Sequence, residues 1–147
     1  TLALGSAAIL VIFSSIFVYF ELVYTPSRLK RRLKKISKVF SEESTEALKD
    51  HYHYIYNLYL RLSENKKQNY YNKVIKLREN IEEQLKTEKE IEKMLAETPK
   101  LKDLKKQKVN YLKINELYRK IPPKTQQKFY KNIIHLRDQL ERRPPSY

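Results

Sequence analysis

Apolar residues are distributed along this chain in two ways. From Thr1 to Phe20 they run together without a single charge; from Leu29 onward they recur every three or four residues among lysines, arginines and acids. The first pattern predicts a helix that is dry on every side, the second a series of amphipathic helices with one buried stripe each. At 1.5 Å of rise per residue, the uncharged stretch makes a helix of about 30 Å, the thickness of a bilayer's hydrocarbon core. Tyr19, Phe20 and Tyr24 cluster at its end, as aromatic residues do at a membrane interface. Nothing else in the chain is apolar enough to surround such a helix inside a soluble core. The segment also lacks the basic front and small-residue cleavage site of a secretory signal. Residues 1–24 are therefore expected to form a membrane or assembly helix. Ala3 and Ala7, four apart, with Gly5 and Ser14 nearby, give it a small-residue side on which helix backbones can approach closely. Val11 lies near its middle.

Thr25-Pro26 predicts the start of a second helix, since threonine caps well and proline suits the first helical position. Over residues 25–40, Leu29, Leu33, Ile36 and Phe40 form one stripe. Arg28, Lys30, Arg31, Arg32, Lys34, Lys35 and Lys38 occupy the other faces. Such a basic amphipathic helix could lie on anionic headgroups, or its stripe could be the seam to a neighbouring helix.

Residues 41–147 read as a helical domain. Ser41, followed by Glu42 and Glu43, is an N-terminal signal for a helix whose stripe is Leu48, Tyr52, Ile55, Tyr59 and Leu62. Ser63 marks a turn into a long helix with Tyr70, Val74, Leu77, Ile81 and Leu85 on one side. Thr98-Pro99 repeats the device of Thr25-Pro26 and opens a helix carrying Leu104, Tyr111, Ile114, Tyr118 and Ile121. Pro122-Pro123 then separates it from a last helix with Phe129, Ile133, Leu136 and Leu140.

Two of these stretches can be superposed without a gap. The 28 residues from Ile55, about 55–82, match those from Ile114, about 114–141, at a constant shift of 59. Leu58 pairs with Leu117, Tyr59 with Tyr118, Tyr71 with Tyr130, Ile75 with Ile134, Leu77 with Leu136 and Arg78 with Arg137. Shared amphipathic spacing could produce the apolar matches, but not the aligned arginines and turn as well. The pattern predicts a tandem αα-hairpin, each copy burying its stripe against its neighbour. Stacked hairpins offer a continuous core and little concavity, so they favour a spacer or interaction surface over a pocket.

Composition narrows the picture further. The chain has 147 residues, a net charge of +14, no cysteine and one glycine, Gly5. Without cysteine there is no disulfide or thiolate chemistry, and with its single glycine in the apolar segment the chain has no phosphate-cradling loop or nucleophile elbow. The fold class is therefore all-α. Twelve tyrosines suit a thin helical core first and an interface second.

His51 and His53 are two apart, hence on different sides of a helix, and His135 stands alone, so no metal site is expected. The acids of residues 82–93 alternate with lysines at helical spacing, Glu82 with Lys86 and Glu88 with Glu92 against Lys89 and Lys93. That is the pattern of a solvated face rather than of paired catalytic acids. No enzymatic role and no cofactor are expected. The segment from Arg28 to Lys38 has the charge density for phosphate contacts, yet it follows an apolar segment and accompanies no nucleic-acid fold, which argues against nucleic acid as the partner.

The arrangement of the first 40 residues resembles the type IV pilin family and its archaeal relatives: a start at Thr1 rather than methionine, about two dozen apolar residues, Gly5 where many bacterial members have glutamate, then a surface domain. That resemblance implies a structural subunit of a pilus-like filament at the cell surface, inserted in the bilayer before assembly. Copies of the chain would then pack through Ala3, Gly5, Ala7, Val11, Ser14, Tyr19 and Phe20. In that family the head is commonly β-rich, whereas this tail reads as helical. The competing expectation is a single-pass anchor for a helical accessory subunit of a membrane complex. Seven basic residues just beyond the span would hold its tail on the cytoplasmic or matrix side.

Overall fold

A computed structural model describes Val18, Tyr19 and residues 24–142. The chain is all-helical. Five α-helices follow one another among the described residues: α1 (Thr25–Val39), α2 (Thr45–Leu60), α3 (Glu64–Glu97), α4 (Leu104–Lys120) and α5 (Pro123–Glu141), with a 3-10 turn at Thr98–Lys100 before α4. The apolar segment from Thr1 to Phe17, together with Phe20, lies outside the described residues. Among those that are described, no helix is long and apolar enough to cross a membrane.

The chain divides into two compact units. One takes the residues up to Lys38 together with Asp50–Arg78; the other takes Val39–Lys49 and everything from Glu79. The first unit thus draws on α1, most of α2 and the front of α3, the second on the first turn of α2, the back of α3, α4 and α5.

In the first unit the predicted stripes face inward. Leu29 and Ile36 of α1, Ile55 and Leu58 of α2, and Val74 and Leu77 of α3 are buried. The Tyr70 hydroxyl donates to the Pro26 carbonyl at 3.5 Å, tying α3 to the start of α1. In the second unit Ile91, Ile114, Ile121, Phe129, Ile133, Leu136 and Leu140 form one core, with Met94, Leu95, Leu104, Tyr111, Leu117 and Tyr118 around it. The Thr45 backbone N–H donates to Thr125 Oγ1 at 3.1 Å, and Thr45 Oγ1 donates to Gln84 Oε1 at 3.4 Å.

Burial repeats at the 59-residue shift. Ile55 and Ile114, Leu62 and Ile121, Val74 and Ile133, Leu77 and Leu136, and Ile81 and Leu140 are buried in both places, while Tyr71 and Tyr130 are exposed in both. Glu64 and Pro123, also 59 apart, begin α3 and α5.

Several local expectations are corrected. α2 starts at Thr45, not near Ser41: Ser44 Oγ accepts from the Ala47 backbone N–H at 3.3 Å, so Ser44 is the cap. Thr98-Pro99 opens only the 3-10 turn, and α4 is capped by Asp103, whose side chain accepts from the Lys105 and Lys106 backbone N–H groups. Glu88 does not belong to a solvated face but is buried. It falls on the continuous stripe Val74, Leu77, Ile81, Gln84, Glu88, Ile91, Leu95, Thr98, whose spacing alternates three and four. The tyrosines line the core rather than fill it: Tyr111 and Tyr118 pack against it half-buried, none of those described is fully buried, and Tyr19, Tyr24, Tyr56, Tyr71 and Tyr130 are exposed.

The turns close without glycine, and no described residue has positive φ. Glutamines take over the role of bonding the loose carbonyls. Gln126 Nε2 donates to the Tyr118 and Ile121 carbonyls at 3.1 and 3.0 Å. Gln107, 1% exposed, donates to the Leu101 carbonyl and, at 3.5 Å, to that of Pro99. Both glutamines sit four residues after their helix cap, one turn into the helix. Gln107→Leu keeps the volume and strips the amide, so the turn carbonyls lose their donor. The expected cost is about 1–3 kcal/mol, read from the denaturant midpoint; no change would mean that water replaces the amide there.

Candidate functional site

The residues singled out from the sequence are of two kinds. Ala3, Gly5, Ala7, Val11, Ser14 and Phe20 lie outside the described residues, and Tyr19 is described and 56% exposed. The basic set, by contrast, falls entirely on α1.

α1 forms because its apolar residues recur at helical spacing and Pro26 fits its first turn. It contains seven basic residues and no acid, half of the chain's net charge of +14. Its packing sorts those seven. Leu29, fully buried, and Ile36, 4% exposed, fix which side turns inward. Leu29 and Ile36 thus form a seam within the unit, while Leu33, on the same stripe, is half-buried. Lys30, Arg31, Lys34, Lys35 and Lys38 are all exposed, and at 100° per residue they fall within an arc of about 140°. Lys38 also stands in the last turn, where the helix dipole favours a cation.

Arg28 and Arg32 behave differently. Their guanidinium carbons lie 5.3 and 4.7 Å from the centre of the Tyr54 ring on α2. Arg28 also lies 5.7 Å from the Tyr24 ring and donates from Nη1 to the Tyr24 hydroxyl at 3.3 Å. A cation over an aromatic face contributes about 0.5–1 kcal/mol at a partly wet site. Tyr54 thus engages the two arginines on the face orientated by Leu29 and Ile36, away from the other five cations. The Tyr54 hydroxyl itself is buried with no hydrogen-bond partner. Tyr54→Phe, which keeps the ring, is expected to stabilise the protein by about 1 kcal/mol, because an unpaired buried hydroxyl is removed. Tyr54→Leu, which removes the ring as well, should lower the melting temperature. A fall in both variants would show that the hydroxyl is satisfied in solution.

Sequence reasoning does not single out Tyr54. Its one signal is its place in the run His51-Tyr52-His53-Tyr54, which gives no indication that two arginines of the preceding helix rest on that ring.

On the same unit, Tyr52, Tyr56 and Tyr59 form a ladder. The Tyr52 and Tyr56 rings stack at 5.7 Å and the Tyr56 and Tyr59 rings at 6.2 Å, both 23° from parallel. With Tyr71, Val74, Ile75 and Arg78 they line a groove of about 370 Å³. The second unit has an open cavity of about 440 Å³ bordered by Glu92, Leu95, Lys128, Phe129, His135 and Gln139. Lys128 Nζ bridges to Glu92 at 2.6 Å and approaches the buried Glu88 at 3.8 Å, while Glu88 Oε1 has no hydrogen-bond partner. The hydrogen bond to Glu92 holds the Lys128 ammonium above its usual pKa. Likewise Lys113, 2.6 Å from Glu90, holds that carboxyl below the usual carboxylate range. Among the described residues no group of three or more histidines and acids could hold a metal ion.

Fold and surface together define an all-helical protein of two helical units, with an acid-free cationic face on α1 among the described residues. No protein-family model matches the chain, and no curated protein or solved structure does either.

Proposed function

We propose that this chain is a membrane-anchored helical interaction subunit. Residues 1–20 hold it in an apolar setting, and the helical units, built from a duplicated αα-hairpin, present their surfaces to other subunits of a membrane complex. The observation that carries this reading is the juxtaposition of an uncharged twenty-residue segment with a helix that holds seven cations, five of them exposed. Excess lysine and arginine within about 15–20 residues of a span retain that flank on the cytoplasmic or matrix side. The shared burial of positions 59 apart supports the duplication, and the tyrosine ladder supplies the amphipathic rings that protein interfaces favour.

The test is fractionation of cells producing the full chain, followed by protease treatment of sealed membranes. The chain should resist carbonate extraction, and its helical units should be cut only from the cytoplasmic or matrix side. Recovery as a freely soluble monomer would exclude the reading.

A second reading, a pilus-like filament subunit at the cell surface, is favoured by one feature, the small-residue side made by Ala3, Gly5, Ala7 and Ser14. Such a side lets identical helices pack closely in a dry core. Filaments containing the chain in sheared surface material, seen by electron microscopy, would establish it in place of the first.

A further inference from the structure

We propose that α1 lies flat along an anionic lipid surface, touching headgroups through Lys30, Arg31, Lys34, Lys35 and Lys38, without burying its apolar stripe in the bilayer. This rests on the membrane-anchor reading and names the surface that the first helix meets.

The stripe decides the mode of contact. An amphipathic helix that inserts into a bilayer keeps its apolar face for lipid. Here Leu29 and Ile36 are already buried within the protein and Leu33 is half-buried, so little of the stripe is left for lipid. What it has to offer is charge. The five cations share one face, that face contains no acid, and none of the five has an ion pair among the described residues. Elsewhere some cations do meet acids: Lys67 with Glu64, Lys113 with Glu90, Lys120 with Glu116, Lys124 with Glu43 and Lys128 with Glu92, all between 2.6 and 2.9 Å. What sets α1 apart is that its exposed cations share one face of a helix that contains no acid, on the helix nearest in sequence to the apolar segment.

Arg28 and Arg32 complete the argument. Half-buried against the Tyr54 ring, they are withdrawn from the contact, and the other five project together on the side opposite Leu29 and Ile36. From Lys30 to Lys38 the face runs about 12 Å along the helix axis, which spans more than one headgroup. A bilayer is favoured over nucleic acid because the segment before α1 places lipid phosphates beside it.

The chain has no cysteine, so a single one can be introduced as a probe. Ser37 is exposed, lies near the far end of α1, and comes close to lipid only if the helix lies down. The experiment uses the full-length Ser37→Cys chain carrying a fluorophore, reconstituted in vesicles whose headgroups bear a quencher. Quenching should be several-fold stronger in phosphatidylglycerol-containing vesicles than in phosphatidylcholine alone. It should fall away in high salt, as the Debye length shrinks. It should also be lost when the five cations are changed together to glutamine, with helical circular dichroism unchanged. Equal quenching in both lipids, or quenching indifferent to salt, would overturn the proposal while leaving the anchor intact. Failure of the chain to float with either vesicle would instead remove the anchor reading itself. An RNA oligonucleotide that displaces the fluorophore from phosphatidylglycerol vesicles at low concentration would assign the face to nucleic acid and overturn the lipid assignment.

Discussion

Val11→Asp is expected to remove the chain from the membrane fraction. Val11 lies near the centre of an uncharged segment about as long as a bilayer's hydrocarbon core is thick. A charge at mid-span costs about 2.5–3.5 kcal/mol on insertion scales, roughly two orders of magnitude in partitioning. The loss applies equally if the segment's dry surroundings are sister helices in a filament, since a lone carboxylate finds no partner there either. Ala7→Asp should act in the same direction. The control lies in the same chain: Val109 on α4 is 65% exposed, so Val109→Asp adds the same charge where water solvates it and should leave fractionation unchanged. Retention of the Val11→Asp chain in carbonate-washed membranes would show that the first segment is not what holds it there. The apolar run would then need another explanation, and the cationic helix behind it would lose its proposed setting.

Much of the helical framework was legible because burial in a thin bundle is decided by period. The stripes Leu29–Ile36, Leu48–Leu62, Val74–Ile81 and Phe129–Leu140 repeat every three or four residues, and the buried positions fall on them. The prolines at 122 and 123 remove backbone donors, so the break between α4 and α5 was fixed locally. What escaped depended on competition or on distance. Ser41 and Ser44 are both acceptable caps, and Ser44 is the one whose hydroxyl accepts from the Ala47 backbone N–H. Thr98-Pro99 and Asp103 compete in the same way, and Asp103 wins because its carboxylate reaches two backbone N–H groups of α4. Glu88 sits in a run of alternating charges that reads as a wet face, yet it is also in phase with Ile81 and Ile91. Its burial follows from α5, whose Lys128 approaches it from a distant part of the sequence. The tyrosines could not be apportioned from sequence, because a ring that packs on one side and stays wet on the other has the same spacing as a core residue. The cationic site was legible as a set of seven. Its division into five exposed and two held was not, since that depends on where Tyr54 arrives.

Leu136→Asp is expected to unfold the second unit, and Leu77→Asp the first. Both leucines lie in the second helix of their hairpin, 59 residues apart, and both are buried, at 3% and 7% exposure. Leu136 belongs to the core of Ile91, Ile114, Phe129, Ile133 and Leu140, where no cation is available to a new carboxylate. An uncompensated buried charge costs on the order of 3–5 kcal/mol. A small helical unit has a stability toward the low end of about 5–15 kcal/mol, so the substitution consumes most of it. Limited proteolysis locates the damage, because both units are rich in lysine and arginine. New cleavage should appear within α4 and α5 for Leu136→Asp and within α2 for Leu77→Asp, each with a loss of helical circular dichroism. Tyr130→Asp and Tyr71→Asp make the matching pair of controls, since these rings are exposed at 57% and 52% and the new charge stays hydrated. If both leucine variants melt as the parent does, the stripes do not bury in paired hairpins. The proposed duplication would then fail together with the packing that turns the five cations of α1 outward.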